Sequence, residues 1–350
     1  MRVPLIYREK PIFGFDLGTR TAKLVQLKPN RKGYEVLGYG YANFPAEAIV
    51  EGIIVDPEEI ASALKPLLKQ MSYGKITATR VAVSLPVSKV FTRTLQLPHM
   101  EDSDLAEAIQ LEAEQYIPVP VTDLYIDHEI IETTKEHIEV LLVASPRAIV
   151  DSFMKLFEIM NLEVAFIESS LGSVIRSTSA DLPKNKTTLV ADFGSVSIDL
   201  TVFDQVIRLT DTIAVGGDDL SESLVKALGV PMDKANEIKY KFGLDTSDIQ
   251  PQIMAALDRQ LQIIVSEMKR VIKYYAEKGG EKHGVESIVL SGGSAGLAGF
   301  PEYLAKQLNL PVVVSNPWKE LKLHRIQEIS KRDYAIYTTA IGLAKLEGKI

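Results

Sequence analysis

The sequence predicts an α/β protein made of two domains that are copies of one another, and three observations predict it. A buried strand ending in Asp-x-Gly-hydroxyl occurs at Ile12–Leu27 (IFGFDLGTRTAKLVQL) and again at Thr188–Phe203 (TLVADFGSVSIDLTVF), each time running into a second strand. A glycine-rich turn, SGGSAGLAGF, follows another apolar strand late in the chain. The length, 350 residues, is enough for two domains with a core each. In each hairpin the glycine lets backbone N–H groups approach a phosphate, and the hydroxyls add donors. The acid can hold Mg²⁺ through water, because that ion keeps part of its hydration shell. One such hairpin is an ordinary surface turn. Two, in separate halves of a chain, point to duplicated domains gripping a nucleotide between them.

Composition narrows the function. Hydrophobic residues at 46% and charged residues at 24% describe a globular chain. The formal net charge of −7 argues against nucleic acid or an anionic membrane surface as a direct partner. No stretch approaches the roughly 18 apolar residues of a membrane span, so no direct membrane insertion is expected. The start, MRVPLIYREKPIF, is broken by charges and is not a signal peptide. There are no cysteines, which excludes disulfides, thiolate metal sites and a cysteine nucleophile. The histidines (His99, His128, His137, His283, His324) are scattered, with none at helical i,i+4 spacing for a metal. The chain reads as cytosolic.

The elements follow in order. After the first hairpin, a strand at Tyr34–Ala42 leads to a helix from Pro57 to Met71, capped by Asp56 with Glu59 three residues on. Pro66 is expected to end or kink it. From Ala78 to Ile167 the pattern is β-β-α twice: strands Arg80–Leu85 and Val90–Gln96, helix Asp104–Tyr116, strands Leu124–Ile131 and Ile138–Ala144, helix Pro146–Met160. Such a repeat predicts an antiparallel sheet with helices on one face. The second half restarts at Thr188, runs to Thr212 and meets a Gly216-Gly217 turn. Helices Asp218–Leu228 and Asp233–Phe242 come next. A long amphipathic helix, Ile253–Glu277, then carries Leu257, Leu261, Ile264, Met268, Val271 and Tyr275 on one stripe. A strand at Ser287–Leu290, the glycine turn Ser291–Gly299, a short helix, the strand Val312–Val314 and a closing helix, Asp333–Leu346, complete the chain.

The glycine turn is neither a Rossmann fingerprint nor a P-loop. Gly293-x-x-Gly296-x-x-Gly299 has the wrong spacing, and no G-x-x-x-x-G-K-[ST] occurs anywhere. Beside two phosphate-type hairpins it reads instead as the wall for a nucleotide base.

This order of parts resembles the actin-like ATPase superfamily of actin, DnaK-type chaperones, sugar kinases, MreB and FtsA. The resemblance implies an actin-like, ribonuclease H-like two-domain ATPase fold with an α+β subdomain inserted in the first domain. It divides the chain into a first-domain core (1–77), the insert (78–167), a second-domain core (168–215), a helical subdomain (216–284), further core with the adenosine loop (285–332) and a C-terminal helix returning to the first domain (333–350). The implied cofactors are ATP and Mg²⁺. In that comparison Asp16, Gly18, Thr19, Arg20, Thr21 and Lys23 form the first phosphate motif, and Asp192, Gly194, Ser195 and Ser197 the second. Gly216, Gly217 and Lys239 line the nucleotide, Gly292, Gly293 and Ser294 form the adenosine motif, and Asp16 and Asp192 anchor the metal. Glu168 is the nearest group in type to a water-positioning catalytic residue.

Within the superfamily the whole length is similar to the PilM family of type IV pilus assembly proteins. The signs are LQLPHMEDSDLAEAIQLEAEQYIP, VLLVASPRAIVDSFMKLFEIMNL and the Asn316-Pro317-Trp318 run. This resemblance implies a scaffold on the cytoplasmic side of the inner membrane. It would bind the N-terminal tail of PilN in the inserted unit, meet other pilus platform proteins, and hydrolyse ATP slowly or not at all. The chain departs from the superfamily pattern at Val196, where actins have glycine, at Ile198, where they have threonine, and at Asn236, where relatives have an acid. The structural alternatives are turn capping for Asp16 and Asp192 and a solvated strand position for Lys23. The functional alternatives are a small-molecule kinase on the same scaffold and an FtsA-like division protein. The stop at Lys349-Ile350 directly after the packed helix counts against the latter.

Overall fold

Ile12–Leu17 is apolar at nearly every position and buried along its length. A strand of that kind needs cover on both faces and partners on both edges. It has them: Thr21–Asn30 pairs antiparallel on one side and Arg80–Leu85 parallel on the other. The computed structural model describes residues 10–31, 33–279, 284–323 and 334–347. Residues 1–9, Asp333 at the expected start of the last helix, and Lys349-Ile350 lie outside the described residues.

The first lobe's sheet runs in the order Glu163–Ser169, Arg80–Leu85, Ile12–Leu17, Thr21–Asn30, Gly33–Asn43, Leu321–Lys322, with Tyr73–Gly74 also paired to Gly33–Asn43. The second lobe repeats the plan. Thr188–Phe193 pairs antiparallel with Ile198–Asp204 and parallel with Ser287–Ser291, flanked by Val206–Ile213 and Val312–Val314. A separate sheet, in the order Phe91–Leu97, Ile138–Pro146, Leu124–Thr133, carries the helix Asp102–Tyr116 over a core of Leu105, Ile109, Ala113, Val140 and Leu142.

The structure differs from the sequence reading within this inserted region. Arg80–Leu85 does not join the small sheet but sits inside the first lobe, where Val81, Ala82 and Val83 are fully buried. A strand apolar on both faces cannot be served by a sheet covered on one face. The helix Arg147–Ile159 likewise turns Ile149, Phe153, Leu156 and Phe157 onto Phe13 and Phe15 of the first lobe. The helix Pro57–Lys69 begins as expected, with Asp56 accepting from the Glu59 N–H at 2.9 Å, and it passes through Pro66 before ending at Lys69.

The long helix spans Gln250–Gly279, and its stripe of Leu257, Leu261, Ile264, Met268 and Val271 packs into the second lobe's core. Ser170–Thr178 is a helix that the sequence did not announce, because its buried face is built of Leu171, Ser173, Val174, Ser177 and Thr178 rather than an apolar repeat. The last helix, Thr338–Ala344, packs against it.

The lobes are joined where the chain crosses between them. After Val312–Val314 it leaves the second lobe, and Leu321–Lys322 pairs with Tyr34–Glu35 of the first. Asp181, on the other crossing, accepts from the Ser315 hydroxyl at 3.0 Å and from the Asn316 N–H at 2.9 Å. Trp318 packs edge-on against Tyr39 and Tyr337, with ring centroids 4.9 and 5.4 Å away.

Candidate functional site

Both hairpin turns are closed in the same way. The Gly18 N–H donates to the Thr21 carbonyl and the Gly194 N–H to the Ser197 carbonyl, each at 2.9 Å. Those two N–H groups are therefore committed to the turns, whose tips are Thr19–Arg20 and Ser195–Val196. The tips face one another from the two lobes: the Thr19 and Ser195 hydroxyls are hydrogen-bonded at 2.8 Å. Arg20 pairs with Asp218 across the same mouth at 3.4 Å, a largely exposed contact of little energetic weight.

Behind the tips the acids converge. In the first hairpin Asp16 is the strand partner of Lys23, whose ammonium donates to its carboxylate at 3.0 Å. At the equivalent register of the second hairpin, Asp192 is the partner of Asp199. Asp192 Oδ1 is sealed from solvent with no hydrogen-bond partner. Burial pushes the Asp192 carboxyl up to about 6, partly offset by the nearby Ser291 hydroxyl, although the two groups do not meet in hydrogen-bond geometry; the charge of Asp16 raises it further and that of Lys23 lowers it. Burial also pushes Asp199 up to about 7, aided by the charge of Asp192 and opposed by the Thr212 hydroxyl, which donates at 2.9 Å. A cavity of about 10 Å³, room for one water, lies against both carboxyls and is closed by Val87, Ser170 and Leu171.

Asp199 is the residue that sequence reasoning missed. The signal was present, because Asp199 follows Asp192 at the offset by which Lys23 follows Asp16.

The glycines explain how the remaining walls come so close. At Gly292, φ is +85°, and an added Cβ would lie 2.7 Å from Asp192 Oδ1. A side chain there is excluded both by that contact and by the backbone conformation. Gly293 approaches Ile336. Gly216 lies against the Ser195 carbonyl and Gly217 against the Ser294 hydroxyl. The Gly217 and Asp218 N–H groups donate to the Gly194 and Ser195 carbonyls at 3.0 and 2.8 Å. The second hairpin, the helix Gly217–Leu228 and the glycine-rich turn therefore form one wall.

Lys239 is buried in that wall and donates to the Gly217 carbonyl at 2.8 Å and to the Ser221 hydroxyl at 2.7 Å. Asn236 accepts from the same hydroxyl at 2.7 Å. The departure from an acid at this position thus builds a bonded triad of Asn236, Ser221 and Lys239.

Glu168 is not brought into the cluster. Its two carboxylate oxygens accept from Arg176 at 2.8 and 2.9 Å, and Arg176 also donates to the Gly342 carbonyl at 2.7 Å. A carboxylate held in this fork orients the last helix, rather than a water at the turn tips.

The donor set fits a hydrated divalent cation. The charge of Asp16 bears on Asp192 from the other lobe, Lys23 offsets only part of it, and one Asp192 oxygen is buried without a hydrogen-bond partner, so further positive charge would be favoured there. Among the described residues no group of three His, Asp or Glu side chains is placed to ligate a metal directly.

Comparison with known proteins agrees with this architecture. A cell division protein FtsA from Streptococcus pneumoniae is 23% identical over 260 residues, covering 67% of this chain and 56% of its own length. An FtsA from Neisseria meningitidis is 29% identical over 191 residues, covering 48% of this chain and 45% of its own length. The chain thus spans about half the length of the curated relatives it matches. Among solved structures, a PilM–PilN type IV pilus biogenesis complex superimposes with a TM-score of 0.84 at 21% identity, over 97% of this chain and 98% of that one. MreB 5 of Spiroplasma citri bound to AMPPNP gives a TM-score of 0.56 at 12% identity, over 98% and 97%. The fold is that of the actin-like ATPases. The family model described as type IV pilus assembly protein PilM matches residues 14–348, and the chain belongs to that family.

Proposed function

We propose that this protein is an ATP-binding scaffold of the pilus assembly platform, holding ATP with Mg²⁺ between its lobes and turning it over slowly or not at all. The single observation that carries the reading is the meeting of the two hairpins, with the Thr19 and Ser195 hydroxyls in contact and an unpartnered Asp192 Oδ1 behind them. Asp16 and Asp192 would hold the cation through waters, Lys23 would neutralise phosphate charge, and the turn tips would donate to phosphate oxygens. The cation's contribution is charge neutralisation. Slow turnover follows from Glu168, the nearest candidate to position a water, being tied to Arg176.

The neighbouring structure's partner suggests the second half of the reading. We assign the N-terminal tail of a PilN-type protein to the groove between the helix Asp102–Tyr116 and the edge strand Leu124–Thr133. That groove is about 560 Å³ in volume, with Ile109, Leu124 and Ile126 on its apolar wall. Extended segments dock in such places by adding to sheet edges. Held this way, the protein would lie at the inner face of the membrane through its partner; none of its described helices is long and apolar enough to cross one.

Calorimetry with ATP and Mg²⁺ on the full chain and on Asp16→Ala and Asp192→Ala tests the cleft. Both variants are expected to weaken binding at least tenfold, and equal affinity in all three proteins refutes the site. A PilN-type tail peptide titrated into the same proteins tests the partner separately.

A further inference from the structure

Opposite the edge strand assigned to the tail, the inserted sheet ends in a second edge, Phe91–Leu97, and this one faces the second lobe. Among the described residues it pairs only with Ile138–Pro146, while Val206–Ile213, the edge of the second lobe's sheet, pairs only with Ile198–Asp204. The two edges line a cleft of about 450 Å³. Arg208 from the second lobe bonds Glu139 of the inserted sheet at 3.0 Å and ties the two bodies together.

Two more cations remain, one on each wall. The Arg93 guanidinium lies 3.4 Å from the centre of the Tyr116 ring, and the Lys278 ammonium 5.0 Å from that of Tyr274. Both tyrosines are exposed. Neither cation is paired with a carboxylate among the described residues, and no acid lines the cleft. The Thr92 hydroxyl, also on its lining, is buried without a partner. In a chain of net charge −7 this is a local reversal of sign.

We propose that this cleft is a docking site for an acidic, extended peptide segment of a partner protein, separate from both the tail groove and the nucleotide cleft. Unpaired strand edges offer a row of backbone donors and acceptors, which an extended chain satisfies as an added strand. Successive side chains of such a segment point to opposite walls, so carboxylates an odd number of positions apart meet Arg93 on one wall and Lys278 on the other. A guanidinium already stacked on an aromatic ring keeps its in-plane N–H groups for a carboxylate.

The test is selection of a displayed library of random twelve-residue peptides on the full chain, followed by affinity measurement on Arg93→Glu, Lys278→Glu and the double variant. The expected pool is enriched in Asp and Glu, with acids an odd number of positions apart. Its members lose at least tenfold in affinity on each single change, and slow amide exchange in 91–97 or 206–213. A pool without acidic enrichment, affinities untouched by both charge reversals, or exchange protection confined to other segments overturns the proposal. Lys278→Glu, on an exposed helical turn, keeps the test decisive if Arg93→Glu disturbs the sheet.

Discussion

Asp192 and Asp199 stand at the register where the other lobe sets an acid against a lysine. Duplicated hairpins have thus diverged into one neutral pair and one pair of like charges, and the like pair carries a pH signature. Both carboxyls are raised, to about 6 and about 7, from an ordinary 3.8. The folded protein therefore binds more protons than the unfolded chain across that window. Their contribution to stability is complete below the unfolded value and is lost as pH rises through 6 and 7. With chelator and no nucleotide, melting temperature should fall over this range on account of these groups. Asp199→Asn should flatten the fall and gain stability at pH 8, by at most about 4 kcal/mol, the worth of holding that carboxyl at about 7 rather than 3.8. An Asn variant that keeps the parent profile would assign the titration elsewhere. The sequence showed Asp16 and Asp192 because the turn motif marks them. Asp199 is an acid mid-strand outside the turn motif, and it stands out only when the two hairpins are aligned position by position.

At the scale of elements, the last helix is seated by close approach rather than by apolar bulk. A Cβ at Gly14 would meet Ala344 N at 2.7 Å and Leu343 Cβ at 2.9 Å, and one at Gly342 would enter the Ser173 carbonyl. Gly342→Ala should therefore lower stability by about 2–3 kcal/mol through overpacking, read as a lower denaturant midpoint at unchanged slope. The Glu168–Arg176 fork fastens the same helix through the Gly342 carbonyl. Glu168→Gln should cost about 1–3 kcal/mol, since it leaves a half-buried guanidinium short of its partner. ATP affinity should not change, whereas a tenfold loss of affinity with intact stability would return Glu168 to the site. These contacts explain why the helix Ser170–Thr178 was illegible in the sequence. Its packing face is small and polar because a neighbouring helix comes close, so no apolar period could reveal it. The long helix Gln250–Gly279 was plain for the opposite reason: Leu257, Leu261, Ile264 and Met268 repeat against a broad sheet core.

At the scale of the whole molecule, the two crossings tie the lobes on one side, and the hairpin tips touch across the cleft between them. Pairing of the hairpins was legible because a duplicated motif survives in residue types. The crossing was not, because Asp181 and Trp318 acquire their partners only once Ser315–Leu321 has folded back onto the first lobe. That crossing supplies a probe. Trp318 is the chain's single tryptophan, buried in the first lobe's aromatic cluster on a segment that comes from the second. Its emission therefore reports loss of the junction, while far-ultraviolet circular dichroism reports the sheets and helices of both lobes. A ligand gripping both hairpins stabilises the joined state by mass action, about 2.7 kcal/mol at a hundred times its dissociation constant. Saturating ATP with Mg²⁺ should consequently move the tryptophan and dichroism transitions upward together, and Asp192→Ala should abolish both shifts. A dichroism curve that moved while the Trp318 curve stayed in place would mean that nucleotide stabilises one lobe alone, and the clamp between lobes would be wrong.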